Sequence, residues 1–391
     1  MSSIVNRNWR YANFVVYPGG PVFVVTVRED HTNDTPGGVV NTLCVINRRT
    51  GSVTVLVDGA DFYAAPVFNS SGTKIAWQEW YLPDMPFEGA LIYVADVASD
   101  NDKIVISDRT LIAGERSKIS AGYPSWITDT TLVYMSDGVN QFQNPFIYDT
   151  ETRQSRPVLK SPVAQDFAEP AWTLGLYPYA ILDGGKYGAF TAFEKGRNVL
   201  YIIDLTQPSV PVPIDNFDYT VAQHLRPASA NCFVFTGIKA AEPGGVIMGT
   251  VSGSSSSYTV MFETLKSSGV VPPELKNFIS PPVPMTLRDP SNPLYVVYYA
   301  PKNPNYSGIP GEKPPCIVGV HGGPTGMEPQ ALNWIKMFYT SRGFAWYALT
   351  CSIQIYNLLT RWQVRCQLSR ILWVRPGIHV STSYQLCIAS D

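Results

Sequence analysis

The sequence predicts a mainly β chain with a shorter α/β part: an incomplete β-propeller of about five blades, followed by the N-terminal part of an α/β domain. Three observations support this fold class. A loose repeat of roughly 45 residues runs through residues 1–265, which is the length of a four-stranded propeller blade. Short apolar runs alternate with turn clusters along that region. A strand, a glycine-rich turn, a helix and a second strand are predicted between Pro314 and Leu349.

The repeat can be followed through successive units. The first covers Tyr11 to Leu56, and the fifth covers roughly Asp218 to Phe262. The second, third and fourth open at APVFNSSG, GYPSWITD and EPAWTLG, so each begins with a proline close to an aromatic residue. One blade cannot bury both of its faces alone, and stacking around an axis would supply the core. A β-sandwich array is the alternative, because short strands alone do not determine an architecture; the repeat length favours the propeller.

The region after the repeats divides into three parts. Residues 266–284 are rich in Pro, Ser and Gly and are predicted to be a linker. Residues 285–350 are predicted to start the α/β domain, with a β-hairpin over residues 285–300. Residues 351–391 form a tail of different composition. Within the repeats, SGSSSS at residues 252–257 is predicted to be a hairpin tip.

The candidate site is the glycine-rich turn that follows the buried strand Cys316–Val320. His321, Gly322 and Gly323 lie at the carboxyl end of that strand, where α/β sheets bind ligands. Backbone N–H groups of such a turn can stabilise the oxyanion of an acyl-transfer intermediate. A turn that only reverses the chain is the alternative, since glycine is the default residue of strained turns.

A helix over residues 328–342 is predicted after this turn, with Pro329 near its start and Gly343 at its end. Three- and four-residue spacing predicts one apolar face that packs on the sheet, formed by Leu332, Ile335, Phe338 and Tyr339.

Composition excludes several classes of function. The net charge is −2 and charged residues are only 15%, which argues against nucleic acid or an anionic membrane as a partner. The six cysteines and four histidines are scattered without metal-ligand spacing, so neither a metal site nor a cofactor is predicted. No apolar run approaches the length of a membrane span. Together these features predict a cytoplasmic protein with reduced thiols.

Two stretches carry a resemblance to a known family. EKPPCIVGVHGGPTG and the following FYTSRGFA resemble the start of the catalytic domain of the prolyl oligopeptidase family of serine peptidases, in its dipeptidyl and acylaminoacyl peptidase branch. DFYAAP, the DMPF loop and DFAEPAWTLG resemble propeller sequence of the same branch. The resemblance implies an α/β-hydrolase domain, short peptide substrates and an oxyanion-hole role for the His321 turn. It also implies that the propeller here lacks its first blades, because the family propeller has seven.

The residues that would perform hydrolysis are missing from the sequence. A hydrolase of this kind needs a serine on a G-x-S-x-G turn, followed by Asp and His. No G-x-S-x-G occurs, and the nearest match, Gly249 to Gly253, has its serine one position late and lies in the propeller. The resemblance stops at about Leu349. The tail beyond it holds three cysteines and four arginines but no lysine or glutamate, which is typical of a shifted reading frame or an unspliced intron. A divergent terminal segment is the alternative.

Other candidate side chains are expected to be structural. His379 lies in the tail and has only Asp391 as a nearby acidic residue, while His31 and His224 belong to a turn and to a blade. Acidic propeller residues capture a substrate's amino terminus in the related peptidases. Glu79 and Glu88 flank the DMPF loop, but no motif assigns them that role, and a solvated loop is expected.

Three functions are compatible with these observations. The first is a serine peptidase lineage that hydrolyses short peptides, with this chain inactive and apparently truncated because its triad is missing. The second is a non-catalytic propeller that acts as an interaction module. The third is an α/β-hydrolase esterase, which shares the His-Gly-Gly turn but does not explain the propeller.

Overall fold

Strands make up most of the molecule, which is a computed structural model. The structure describes residues 7–100, 103–171, 173–254, 257–287, 294–320, 327–349 and 387–389. Within these residues, five antiparallel sheets precede the α/β part, and the strands of each sheet pair in chain order. The five predicted blades of an incomplete propeller are therefore confirmed.

The bounds of the propeller strands follow. The first sheet contains β1 (Trp9–Val16), β2 (Phe23–Asp30), β3 (Val40–Asn47) and β4 (Val53–Val57). The second contains β5 (Phe62–Phe68), β6 (Lys74–Trp80), β7 (Leu91–Ser99) and β8 (Ile104–Ala113). The third contains β9 (Ala121–Trp126), β10 (Thr131–Ser136), β11 (Asn144–Asp149) and β12 (Gln154–Pro157). The fourth contains β13 (Tyr179–Leu182), β14 (Tyr187–Glu194) and β15 (Arg197–Asp204), and the fifth β16 (Val221–Pro227), β17 (Cys232–Ile238), β18 (Gly245–Ser254) and β19 (Ser257–Ser267).

The core lies between neighbouring sheets, and β10 shows why. Its sequence TLVYMS has no alternation of apolar and polar residues, and five of its six residues are buried. Leu132 and Tyr134 pack towards the second sheet, whereas Val133 and Met135 pack towards the fourth. Successive side chains of a strand point to opposite faces, so a strand that is apolar throughout must be covered on both sides. The central strands are thus compatible only with a stack of sheets.

The first strand of four sheets carries the same irregularity. Each contains a register shift, and the residue at that shift has a positive φ: Asn13, Ala65, Tyr123 and His224. Such β-bulges bend a strand and increase its twist. The N–H of Ala65 donates a 2.7 Å hydrogen bond to Oδ1 of Asn13, so one bulge is tied directly to the next. Neighbouring first strands also contact each other, β1 with β5 and β5 with β9.

The α/β part is a five-stranded sheet. It contains β20 (Val283–Leu287), β21 (Leu294–Tyr299), β22 (Cys316–Gly319), α1 (Trp334–Thr340), β23 (Ala345–Leu349) and β24 (Cys387–Ala389), with the strand order β20-β21-β23-β22-β24. β22 and β23 are parallel, and α1 packs on β23, so the predicted strand–helix–strand unit is confirmed. The hairpin β20–β21 also forms as predicted. β24 pairs with β22; residues 350–386 of the tail lie outside the described residues.

The predicted helix over residues 328–342 is wrong in length and in orientation. The helix begins only after Asn333, whose side-chain oxygen accepts hydrogen bonds from the N–H groups of Ile335 and Lys336 and caps the first turn. Ile335 and Phe338 are 62% and 48% exposed, whereas Lys336 and Thr340 are buried. The apolar spacing predicted the wrong helix start and the wrong buried face because residues 328–332, which it included, form no helix. Gly343, with φ of 91°, follows the helix as predicted.

The bond between the first two bulges gives a test of the inter-sheet contact. Asn13→Gly keeps a backbone that adopts positive φ freely but removes the acceptor of the Ala65 N–H. We expect it to lower the free energy of unfolding by about 1 kcal/mol, measured by urea titration. Asn13→Asp retains an acceptor and should lose less. Equal losses in the two variants would show that the hydrogen bond contributes nothing.

Candidate functional site

One face of the propeller carries the α/β part. In each sheet, the loop between the second and third strands lies at the end where the first strand begins; we call this the docking face. Gln330 Nε2 donates a 2.6 Å hydrogen bond to the carbonyl oxygen of Lys195, in the β14–β15 loop. The N–H of Leu332 donates to the carbonyl oxygen of Lys239, in the β17–β18 loop, at 3.1 Å. Thr220 Oγ1 donates to the carbonyl oxygen of Gln330 at 3.0 Å. The segment after the glycine-rich turn is therefore fixed to this face.

A pocket lies among loops of the same face, between the second, third and fourth sheets. Its volume is about 370 Å³, counting the part that opens to solvent. It is lined by Gln78, Pro86, Phe87, Ser120, Gly122, Tyr123, Asp137, Gln141, Gln143, Asp166, Glu169, Pro170 and Ala171. Convergent polar groups beside some apolar surface are typical of a ligand site, and this lining is the more polar kind.

Two carboxyl groups of the pocket are held away from water. Asp137 accepts a 2.8 Å hydrogen bond from the N–H of Ser120, and Asp166 accepts one of 2.9 Å from the N–H of Gln143. Burial raises the pKa of Asp137 to about 7 and the pKa of Asp166 to about 6, because the charged form loses hydration. The charge of Asp166 contributes further to the raised pKa of Asp137. Both carboxyl groups therefore stay protonated to a higher pH than an exposed carboxyl group does.

Glu169 contributes a third carboxyl group. It accepts a 3.3 Å hydrogen bond from Nε2 of Gln223 in β16, and its carbonyl oxygen accepts one of 2.7 Å from the Tyr123 hydroxyl. The Tyr123 hydroxyl thereby ties the bulge of β9 to the segment that carries Glu169. The pocket is built from the third sheet together with groups of its neighbours.

Gln78 supplies an unsatisfied acceptor. Its side chain is 2% exposed, and its Oε1 has no hydrogen-bond partner. A Cβ added at Gly122 would lie 2.8 Å from that oxygen, so the amide packs closely against the glycine. A buried polar atom without a partner costs about 1–3 kcal/mol, so a donor that reaches this oxygen would gain a hydrogen bond there.

The predicted site residues lie elsewhere. His321, Gly322 and Gly323 are outside the described residues, so their oxyanion-hole role stays a prediction. The chain just after them is held by the buried Lys336, whose ammonium lies 2.9 Å from the Glu328 carboxylate. Among the described residues, no group of three or more His, Cys, Asp or Glu side chains is placed to hold a metal ion.

The expectation of a solvated loop is wrong for Glu79. This residue lies in β6 and is fully buried. Its carboxylate accepts hydrogen bonds from Trp77 Nε1 at 2.8 Å, the Tyr81 hydroxyl at 2.7 Å and Arg109 at 2.6 Å. These three donors use its acceptor capacity, so Glu79 fastens β6 to β8 and is unavailable to a ligand. Glu88 does lie in the loop, where it accepts a hydrogen bond from the N–H of Met85.

The histidines of the described residues have structural partners, as expected. The ring of His31 lies between the Asp34 and Glu29 carboxylates, at 2.7 and 3.1 Å. Nδ1 of His224 lies 3.3 Å from the carbonyl oxygen of Gly175.

Comparison with known proteins gives matches among solved structures. The chain has 26% identity and a TM-score of 0.72 to a puromycin-hydrolysing peptidase of Mycobacterium tuberculosis, over 89% of this chain and 52% of that one. The corresponding values for a puromycin hydrolase are 22%, 0.76, 89% and 51%. For prolyl oligopeptidase B of Galerina marginata they are 9%, 0.64, 88% and 46%. The predicted likeness to the prolyl oligopeptidase family is confirmed. The chain spans about half the length of these structures.

Other comparisons bring no further match. No family model matches the chain, and none of the curated proteins does. The prolyl oligopeptidase-like architecture thus rests on the fold. None of the helices in the described part of the chain is long and apolar enough to span a membrane.

Sequence reasoning missed the pocket. Its polar residues come from separate strands and loops, and no motif joins them. One signal was present: Gln78 interrupts the apolar run of β6, in a strand that is buried on both faces. Asp166 and Glu169 lie in DFAEPAW, a stretch that carried the family resemblance.

The raised pKa values predict how stability depends on pH. Between about pH 4 and pH 7 the folded state holds a proton on Asp137 that the unfolded chain has released. Stability should therefore fall as pH rises, by about 1.4 kcal/mol per pH unit for one such group. Asp137→Asn removes this dependence while keeping an acceptor for Ser120. Urea titrations at pH 5, 6, 7 and 8 should show that the free energy of unfolding of the variant rises relative to that of the wild type up to about pH 7.

A matched control is Asp149→Asn. Hydrogen bonds from Thr152 lower the pKa of Asp149, so this variant should follow the wild-type pH profile above pH 5. Parallel profiles for wild type and Asp137→Asn would contradict the burial argument.

The buried carboxylate of Glu79 predicts a large stability effect. Glu79→Ala leaves Arg109 and two further donors without their acceptor, and we expect a loss of about 3 kcal/mol in the free energy of unfolding. Glu79→Gln retains the size and one acceptor oxygen and should lose less. Glu115→Ala is the surface control, because Glu115 pairs with Lys118 in solvent and should contribute under about 0.5 kcal/mol. Similar losses for Glu79→Ala and Glu115→Ala would refute the assignment.

Proposed function

We propose that the chain provides the peptide-selecting propeller and the opening part of the catalytic domain of a peptidase-lineage protein. The observation that supports this most is the contact of Gln330 and Leu332 with the docking face, because it joins the α/β part to the side of the propeller that carries the pocket. A variant of puromycin hydrolase, one of the similar structures, is complexed with PGG. Short peptides are accordingly the proposed ligands.

We also propose that this polypeptide does not hydrolyse peptides by itself. A triad enzyme without its nucleophile keeps only the weak catalysis that binding and the oxyanion hole provide. The nearest sequence to a nucleophile turn, Gly249 to Gly253, lies in β18, within the fifth propeller sheet. A serine there projects from a blade hairpin and has no parallel strand and helix around it.

A cytoplasmic location belongs to the same proposal. Cys44, Cys232 and Cys316 are free thiols in the described part of the chain. Reduced thiols are typical of a cytosolic environment.

Serine-directed labelling tests the proposal. A fluorophosphonate probe should leave the purified chain unlabelled, whereas a full-length puromycin hydrolase treated in parallel should be labelled. Hydrolysis of short peptide amides should not exceed that of a blank. Stoichiometric labelling of a single serine would show that a nucleophile is present and that the proposal of inactivity is wrong.

A further inference from the structure

We infer that the docking-face pocket binds an unbranched basic side chain, with a primary ammonium group as the part that reaches its floor. The inference rests on the proposed function in taking a short peptide as the ligand. It goes further in naming which chemical group of the peptide enters the pocket.

The first argument is the unsatisfied acceptor. Gln78 Oε1 is buried without a hydrogen-bond donor, and the amide lies against Gly122. A ligand that brings an N–H donor removes this deficit, whereas an apolar ligand or an anion leaves it. The missing partner is therefore a donor.

The second argument is unpaired acidity. None of the ion pairs in the described part of the chain includes Asp137, Asp166 or Glu169. Each accepts hydrogen bonds from protein donors, but no protein cation neutralises them. An ammonium group has three donors and no acceptor, which suits a site that offers the Gln78 oxygen and three carboxyl groups. A cation of the ligand would supply the missing charge.

The third argument is shape. Two of the acceptor residues are almost fully buried, since Gln78 is 2% and Asp166 is 6% exposed. Phe87, Pro86 and Pro170 contribute apolar surface to the same lining. A lysine side chain carries its ammonium on a slender aliphatic stem that packs well on such walls. The α-ammonium of a peptide sits on a branched carbon, so it should reach a buried acceptor less readily than a side-chain ammonium does.

Two isomeric probes separate these sources. Nα-acetyl-lysine amide presents only the side-chain ammonium, and Nε-acetyl-lysine amide presents only the α-ammonium. Isothermal titration calorimetry at pH 7, where the α-amino group of the second probe is still largely protonated, should give at least tenfold tighter binding for the first probe. Equal affinities, tighter binding of the second probe, or no binding of either would overturn the inference. None of these results bears on the labelling experiment, which tests the catalytic proposal separately.

Variants locate the binding site. Gln78→Leu removes the unsatisfied oxygen at similar size and should weaken binding of the first probe at least fivefold. Gln154→Leu makes the same change at an exposed position of β12 and should leave affinity unchanged. If Gln78→Leu fails to fold by circular dichroism, Asp137→Asn replaces it as the test. Unchanged affinity in the folded variant would place binding outside the pocket.

Affinity should also depend on pH. The titratable groups that line the pocket are Asp137, Asp166, Glu169 and Tyr123. Protons held by Asp137 and Asp166 must leave before both carboxylates can face an ammonium group, so affinity for the first probe should rise between pH 5.5 and pH 8. An affinity that is flat over this range would count against contact with these carboxyl groups.

Discussion

Burial of both faces of each propeller sheet is the constraint on which the rest of the structure depends. A strand such as β10 has apolar side chains on both sides, and neither side can be left to water. Leu132 and Tyr134 are covered by the second sheet, and Val133 and Met135 by the fourth. Apolar burial of this kind contributes roughly 25 cal/mol per Å², the largest favourable term in the fold. Packing between the sheets therefore fixes the positions of the strand ends, and the docking-face loops begin at those ends.

Polar groups lie at the ends of these apolar layers, and they differ in how fully their hydrogen bonds are satisfied. Glu79 is fully paired and strengthens the second sheet. Asp137 and Asp166 accept backbone hydrogen bonds but lose hydration, which raises their pKa. Gln78 is left with a free oxygen. Glu79, whose hydrogen bonds are satisfied, therefore belongs to a structural network. Gln78, Asp137 and Asp166, whose hydrogen bonds are less completely satisfied, line the pocket.

Much of the fold could be predicted from the sequence, and little of the site. The repeat length and the continuous apolar runs indicated stacked blades, because strand pairing between sequential segments is a local property. The strand–turn–helix–strand unit was also visible, but α1 is shorter than its periodicity indicated, since Asn333 caps the helix and Gln330 and Leu332 bind the propeller instead. Gln78, Asp137 and Asp166 meet only through packing of separate sheets, which no local pattern records.

The attachment of the α/β part to the propeller has a consequence for how such a joint can change over time. Gln330 and Leu332 bind the main-chain oxygens of Lys195 and Lys239, and the side chains of those lysines take no part in the two bonds. Nearly any amino acid presents the same carbonyl group. The sequences of these propeller loops, and with them the specificity of the propeller, can therefore change without loss of the two hydrogen bonds that hold the α/β part in place.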